Sequence, residues 1–128
     1  MTSVVLDASA VLALVRDEPG ADKVAPHIGR AAISAVNVQE VIEELMPSGS
    51  DETTTRELLD ELRLDVRSHD ASAAYAAAGL HAQTRRYGRG LGDRSCLALA
   101  IEIGVPARTA DREWKKVKMK NLKLEHIQ

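Results

Sequence analysis

Strand-like and helix-like segments alternate along this chain, and their order predicts the fold. The first apolar run stops at Asp7, which predicts a strand over residues 3–7. Further strands are predicted over residues 31–34, 64–67, 105–109 and 122–127. Helices are predicted over residues 10–17, 21–28, 38–46, 50–62, 70–87, 94–103 and 112–116. Strands separated by helices are typical of a parallel sheet that helices cover on both faces.

Residues at the ends of these segments support the assignment. Asp51 or Thr53 is placed to cap the helix within residues 50–62, and Asp70 to cap the alanine-rich helix that follows. Gly104 is placed to end the helix before the fourth strand. We therefore predict one α/β domain over residues 1–128, with a short, mainly parallel central sheet flanked by helices on both faces.

Composition narrows the class of protein. With 128 residues, 45% of them hydrophobic, the chain is long enough to bury a core, and 28% charged residues with scattered apolar groups argue against disorder. We expect a cytoplasmic protein without a membrane segment, because no apolar stretch has spanning length and no basic segment precedes an apolar one at the start. The single Cys96 excludes an internal disulfide and a cysteine-based zinc site.

Charge is unevenly distributed along the chain. Residues 1–65 carry 5 basic and 13 acidic side chains, a balance of −8, whereas residues 66–128 carry 12 basic and 6 acidic ones, a balance of +6. One basic group consists of Arg85, Arg86, Arg89 and Arg94. Such a group is either a solvated surface or a phosphate-binding flank beside an acidic centre, and composition does not decide between them.

Two acids follow strands that should lie in the same sheet. Asp7 ends the first strand and Asp111 lies just beyond the strand at residues 105–109. Ligands of open α/β sheets bind outside the carboxyl ends of the strands, so both acids are candidates for one site. Each also precedes a helix, where Asp is a favoured cap. The two interpretations stay open for either residue.

The position of Asp93 favours a shared acidic site over helix capping. In the helix around residues 94–103, Cys96, Leu97, Ala100, Ile101 and Ile103 form an apolar face, and Asp93 projects along its middle. A carboxylate directed inward needs a hydrogen-bond donor, a cation or a metal. The helix over residues 38–46 offers Glu40, Glu43 and Glu44 as a fourth acid. All three fall away from its apolar arc, so periodicity predicts a solvated face and does not separate them.

Four motifs follow one another along the chain and together cover nearly all of it: "VVLDASAVLAL", "SAVNVQEVIEEL", "LGDRSCLALA" and "ARTADREW". In this order they resemble the PIN-domain ribonucleases, and more narrowly the toxins of VapBC-type toxin–antitoxin pairs. The resemblance implies a PIN-like domain in which Asp7, Glu40, Asp93 and Asp111 form an acidic quartet that holds Mg²⁺ or Mn²⁺. It selects Glu40 over its neighbours, and it assigns supporting hydroxyl positions to Ser9 and Thr109.

The resemblance also implies an activity and partners. We expect a metal-dependent endoribonuclease in which Asp7, Asp93 and Asp111 bind the metal directly or through water, while Glu40 orients water or a second metal. The arginines of the group at 85–94 are candidates for RNA backbone contacts. Toxins of this type usually form homodimers, and a small antitoxin inhibits them by covering the acidic site.

Other functional classes fit less well or remain open. A phosphoacceptor receiver domain needs an acidic pair after its first strand, and a haloacid-dehalogenase-type phosphatase needs Asp-x-Asp, where this chain has Ser9. A catalytically silent PIN fold that binds proteins stays open as the alternative. Metal-dependent cleavage of RNA distinguishes it from the nuclease.

Overall fold

Five short parallel strands form the centre of the protein in a computed structural model, which describes residues 1–47, 49–85, 90–117 and 119–128. The strands are β1 (Val4–Leu6), β2 (Ala31–Ser34), β3 (Asp65–Arg67), β4 (Ala107–Thr109) and β5 (Leu124–His126). They lie in the order β3-β2-β1-β4-β5, and each neighbouring pair is parallel. The chain runs outward from β1 to β3 and then crosses to the other side of β1. The carboxyl ends of β1 and β4 therefore flank the point where ligands of such sheets bind.

Helices connect the strands. The described residues include α1 (Ala8–Val15), α2 (Ala21–Val24), α3 (Ala35–Leu45), α4 (Glu52–Glu61), α5 (Ala71–Ala78), α6 (His81–Thr84) and α7 (Leu91–Ile103), with 3₁₀ helices at Ala25–His27 and Arg112–Lys116. Within the described ranges, no helix combines the length and apolar character needed to span a membrane. The predicted α/β class and the cover of helices on both sheet faces are confirmed.

Alternate residues of β1 point into two separate cores. Val4 and Leu6 pack with residues of α1, α2 and α3, whereas Val5 packs with residues of α7 and with Trp114. Side chains of successive strand residues point to opposite faces, so a three-residue apolar strand serves both cores. Each fully buried Val or Leu contributes about 1.5–3 kcal/mol, and the two cores together hold the sheet between its helices.

The alanine-rich helix is shorter than predicted. Asp70 Oδ1 accepts a hydrogen bond from Ala73 N at 2.9 Å, which confirms the cap, but the helix ends at Ala78 and a separate short helix follows. At the break the backbone hydrogen bonds change from an α-helical to a 3₁₀ pattern. Gly79 N donates to Tyr75 O, four residues before it, whereas Leu80 N donates to Ala77 O, three residues before it. Glycine favours such an interruption, since it is a poor residue for a helix interior. The predicted end at Tyr87 lies outside the described residues.

The buried face of α7 is wider than the predicted one. Cys96, Leu97 and Ala100 are buried as expected, whereas Ile101 and Ile103 are only partly buried. Ser95 and Leu99 are buried instead, and α5 packs alongside α7. A helical wheel shows one apolar arc, and it does not show that a second helix covers the neighbouring arc. Gly104 ends α7 in the left-handed region, with φ of 80°, as predicted.

Candidate functional site

An acidic cleft of about 340 Å³ opens at the carboxyl edge of the sheet. Asp7 reaches it from the end of β1, Asp111 from the segment after β4, Glu40 from α3 and Asp93 from the first turn of α7. Ser9 lines the same cleft, and the remaining lining residues are Ala8, Leu12, Glu43 and Glu44. The structure thus brings all four predicted acids together. Their catalytic role remains a prediction.

Asp7 does not act as a helix cap. It occupies the cap position of α1, yet its side chain makes no capping hydrogen bond. Its Oδ2 instead accepts hydrogen bonds from Ser9 Oγ at 2.8 Å and from Thr109 Oγ1 at 3.0 Å. The residue is only 6% exposed. Of the two interpretations that the sequence left open for Asp7, capping is therefore excluded.

The buried position makes the charge of Asp7 unfavourable. Burial is the main reason that the pKa of Asp7 rises from 3.8 to about 6, and the nearby charges of Asp93 and Glu40 raise it further. The hydrogen bonds from Ser9 and Thr109 act in the opposite direction and lower this pKa. At neutral pH a carboxylate is thus held in a poorly solvated place beside two other acids. A bound cation would offset that repulsion.

The two hydroxyls also attach the segment after β4 to Asp7. Thr109 Oγ1 accepts from Asp111 N at 3.0 Å, and Ser9 Oγ accepts from Ala110 N at 2.9 Å. Each hydroxyl therefore donates to the carboxylate and accepts from this segment. Asp111 Oδ1 accepts from Glu113 N at 2.9 Å, so Asp111 caps the 3₁₀ helix Arg112–Lys116 while it lines the cleft. For Asp111, both interpretations therefore hold, since the residue caps a helix and also lines the acidic cleft.

We expect the substitution Thr109→Val to destabilise the protein by about 2–4 kcal/mol. The shape is conserved, but a hydrogen bond to a buried carboxylate is lost and the Asp111 amide loses its acceptor. Urea unfolding of the metal-free protein measures the change. The exposed Thr53 provides the control, because Thr53→Val should change stability by less than about 0.5 kcal/mol. A cost below that value for Thr109→Val would contradict the supporting role.

Glu40 differs from its neighbours in burial. It is partly buried, whereas Glu43 and Glu44 are exposed, so the predicted solvated face is wrong for Glu40. Its Oε1 accepts a hydrogen bond from Asn37 Nδ2 at 2.8 Å. Burial is the main cause that raises the pKa of Glu40, opposed by this hydrogen bond and reinforced by the charges of Asp93 and Glu43.

Two residues at the site were missed in the sequence. Asn37 is completely buried, and its Nδ2 also donates to Gly92 O at 3.0 Å. Gly92 leaves the space that the Glu40 carboxylate occupies. A signal for Asn37 exists, because positions 37, 41 and 45 fall on the buried side of α3 and only the first is polar. Nothing in the local sequence distinguishes Gly92 from the other glycines nearby.

The predicted basic group is only partly described. Arg85 follows α6 and is exposed, and Arg94 is partly buried in α7 next to Asp93. Neither is among the residues that line the acidic cleft. Arg86 and Arg89 lie outside the described residues.

The chemistry of the cleft suits a hard divalent cation. Its polar lining consists mainly of carboxylates, which Mg²⁺ and Mn²⁺ prefer. Among residues 1–47, 49–85, 90–117 and 119–128, however, no three or more His, Cys, Asp or Glu side chains are arranged as a metal-binding cluster. Mg²⁺ usually keeps several waters and takes one or two carboxylates, so an open set of acids fits it better than a closed cage would.

Comparisons with known proteins agree with this architecture. A chain in the DNA-bound VapBC2 of Rickettsia felis has a TM-score of 0.71 at 19% identity, and the alignment covers 98% of both chains. VapBC-1 of nontypeable Haemophilus influenzae has a TM-score of 0.67 at 17% identity, and DNA-bound VapBC of Salmonella typhimurium one of 0.64 at 18%, each with 98% of both chains covered. These identities are low, so the likeness shows a shared fold.

A search by sequence gives the family directly. No curated protein matches the chain. The sequence model of the PIN domain matches residues 4–120, which is most of the 128 residues. This protein therefore belongs to the PIN domain family.

Proposed function

We propose that this protein is a metal-dependent endoribonuclease and the toxin of a type II toxin–antitoxin pair. The observation that carries the proposal is Asp7. It is a buried carboxylate at the sheet's carboxyl edge, held by two hydroxyl donors, and it shares one cleft with five further acids. Such an arrangement is costly for a protein that binds nothing there. Membership in a family of nucleases supports the same proposal.

Each acid has a proposed part in the reaction. Asp7, Asp93 and Asp111 would hold Mg²⁺ or Mn²⁺, directly or through water, and Glu40 would orient water or a second metal. When bound, the metal supplies an activated water and neutralises charge on the scissile phosphate. Ser9 and Thr109 keep Asp7 ionised and oriented, since both donate to Oδ2. Hydrolysis by water leaves a 5′-phosphate and a 3′-hydroxyl.

The RNA backbone would contact basic residues of the group at 85–94. Arg94 neighbours Asp93 on α7, and Arg85 stands exposed at the end of α6. Both belong to the half of the chain that carries an excess of positive charge. Arg86 and Arg89 complete this proposed set by sequence alone. Cations near an acidic centre attract the phosphates that the acids would repel.

The partners are proposed from the neighbours. The three similar structures described above are of VapBC, which supports a small antitoxin as the partner of this chain. We further propose a cytoplasmic homodimer. The domain would extend over residues 1–128, because β5 (Leu124–His126) lies beyond the matched residues 4–120 and pairs with β4.

A catalytically silent PIN fold is the second candidate. It is favoured by one observation, the lack of a closed metal-ligand cluster in the described part of the chain. A protein of that kind would retain the acids without cleaving RNA and would act by binding other proteins.

Incubation of total bacterial RNA with the antitoxin-free protein separates the two candidates. We expect discrete fragments with 5′-phosphate ends in Mn²⁺ or Mg²⁺ and none after removal of the metal by EDTA. The Asp7→Asn variant, purified in parallel, controls for contaminating nucleases. Equal cleavage by the variant, or none by either protein across transfer, ribosomal and messenger RNA, would support the silent fold.

A further inference from the structure

We propose that Asn37 is a positioning residue, which fixes the Glu40 carboxylate against the first turn of α7 and so sets its place relative to Asp93. The inference rests on the proposed function, because it assigns a purpose to Glu40 within the metal site. Asn37 contacts Glu40 and the α7 backbone and is not among the residues that line the acidic cleft. Its effect on the site therefore passes through Glu40.

The side-chain amide of Asn37 donates to two acceptors that lie on different helices. Its Nδ2 donates to Glu40 Oε1 at 2.8 Å within α3, and to Gly92 O at 3.0 Å across to α7. An amide nitrogen carries two hydrogens, one for each acceptor, whereas a Ser or Thr hydroxyl carries only one. The two contacts together explain why this position holds an amide.

The remaining atom of the amide shows that the residue is not there for packing. Asn37 Oδ1 is buried and has no hydrogen-bond partner among the residues that the structure describes, and the residue has 0% exposure. Rotating the amide would bring this oxygen against the Glu40 and Gly92 oxygens, so the orientation is determined. An apolar residue at this position would avoid the desolvation of the amide altogether. The amide is retained despite an unsatisfied oxygen, which is typical of a residue kept for function.

Gly92 completes the contact from the side of α7. A Cβ atom at this position would lie 2.2 Å from Glu40 Oε1 and 2.5 Å from Oε2, so any side chain there would displace the Glu40 carboxylate. The Glu40 carboxylate therefore lies directly on the α7 backbone, one residue before Asp93. Asn37 and Gly92 thus hold two acids from different helices at a set separation.

Mn²⁺ binding to the full-length protein tests the proposal without relying on RNA cleavage. Free Mn²⁺ is measured by electron paramagnetic resonance, and thermal melting of the metal-free protein reports on the fold. Asn37→Leu keeps the branched shape of the side chain, in a larger form, and removes both donor hydrogens. We expect about 10-fold or more weaker Mn²⁺ binding, the range found for residues that orient metal ligands, in a variant whose melting curve shows that it is still folded at the temperature of the titration.

Two further variants control the result. Arg56→Leu removes a side-chain hydrogen bond to a carboxylate of similar length, 2.9 Å to Glu52, between exposed residues of α4 that do not line the acidic cleft, and should change Mn²⁺ affinity less than about 2-fold. Gly92→Ala leaves Asn37 in place but displaces Glu40, and it should weaken binding as Asn37→Leu does. If Asn37→Leu does not fold, Gly92→Ala decides by the same criterion.

A double-mutant cycle with Glu40→Gln distinguishes positioning from general structural support. If Asn37 acts through Glu40, the double variant Asn37→Leu/Glu40→Gln binds Mn²⁺ as Glu40→Gln alone does. Additive losses, or wild-type binding by Asn37→Leu, would overturn the inference while leaving the proposed function intact. Absence of Mn²⁺ binding by the wild-type protein, or binding unaffected by Asp7→Asn, would overturn the proposed function and this inference with it.

Discussion

The substitution Asp7→Asn should have opposite effects on activity and stability. Metal-dependent RNA cleavage should fall by at least about 100-fold, since even residues that only orient metal ligands change activity by about 10–100-fold. The metal-free protein, in contrast, should become more stable at pH 7. Its buried carboxylate has a pKa of about 6, compared with 3.8 for the ordinary group, and the asparagine carries no charge to desolvate.

The size of the stabilisation follows from the shift in pKa. Burial raises the pKa of Asp7 from 3.8 to about 6, and a change of one in pKa corresponds to about 1.4 kcal/mol, so removal of the charge relieves up to about 3 kcal/mol at pH 7. For a domain of this size, the melting temperature should rise by roughly 3–10 °C. The side-chain oxygen of the asparagine can still accept hydrogen bonds from Ser9 and Thr109, so the variant keeps the two hydrogen bonds that Asp7 Oδ2 accepts in the wild type.

The pH dependence provides the check. Because the folded protein holds the Asp7 proton more tightly than the unfolded chain does, the wild-type protein loses stability as pH rises from about 4 to above 6. The variant lacks this loss, so the difference between the two proteins should grow with pH over that range. Urea unfolding in EDTA at several pH values measures it. Asp22→Asn, at an exposed position on α2, should follow the wild-type curve. A variant less stable than wild type at pH 7 would show that the Asp7 charge supports the fold.

Mn²⁺ should stabilise the wild-type protein, and Asp93→Asn should remove most of that effect. A ligand at about 100 times its dissociation constant contributes about 2.7 kcal/mol to the free energy of unfolding. A change of about 10–100-fold in metal affinity, the range given by residues that orient ligands, removes about 1.3–2.3 kcal/mol of it. Asp93 lies in the acidic cleft, and its charge acts on both Asp7 and Glu40.

Thermal melting with and without Mn²⁺ measures this effect. Glu102 is the matched control, because it lies on the same helix, is exposed and does not line the acidic cleft. Glu102→Gln should keep the full rise in melting temperature. Without metal, Asp93→Asn should be at least as stable as wild type, since it removes a repulsive charge. A full Mn²⁺-dependent rise in Asp93→Asn would contradict its place among the metal ligands.

The local pattern of the sequence was sufficient for the architecture. Apolar runs separated by helical segments led to a parallel sheet with helices on both faces, and β2 has the predicted bounds of residues 31–34. The same reasoning placed Asp7 and Asp111 at one edge. Parallel strands have their carboxyl ends on the same side, so residues that follow β1 and β4 must meet there. Regular backbone geometry extends such local information across the sheet.

Which acids interact, and how, was decided only by tertiary contacts. Glu40 is distinguished from Glu43 and Glu44 by the hydrogen bond that it accepts from Asn37. The same amide of Asn37 also donates to the backbone of Gly92, which is 55 residues further along the chain. Asp7 is shown not to be a cap by Thr109, 102 residues away. The buried arc of α7 likewise depends on α5, which packs beside it. Periodicity records the preference of a segment for burial, but hydrogen bonds and desolvation depend on the partner that folding brings to it.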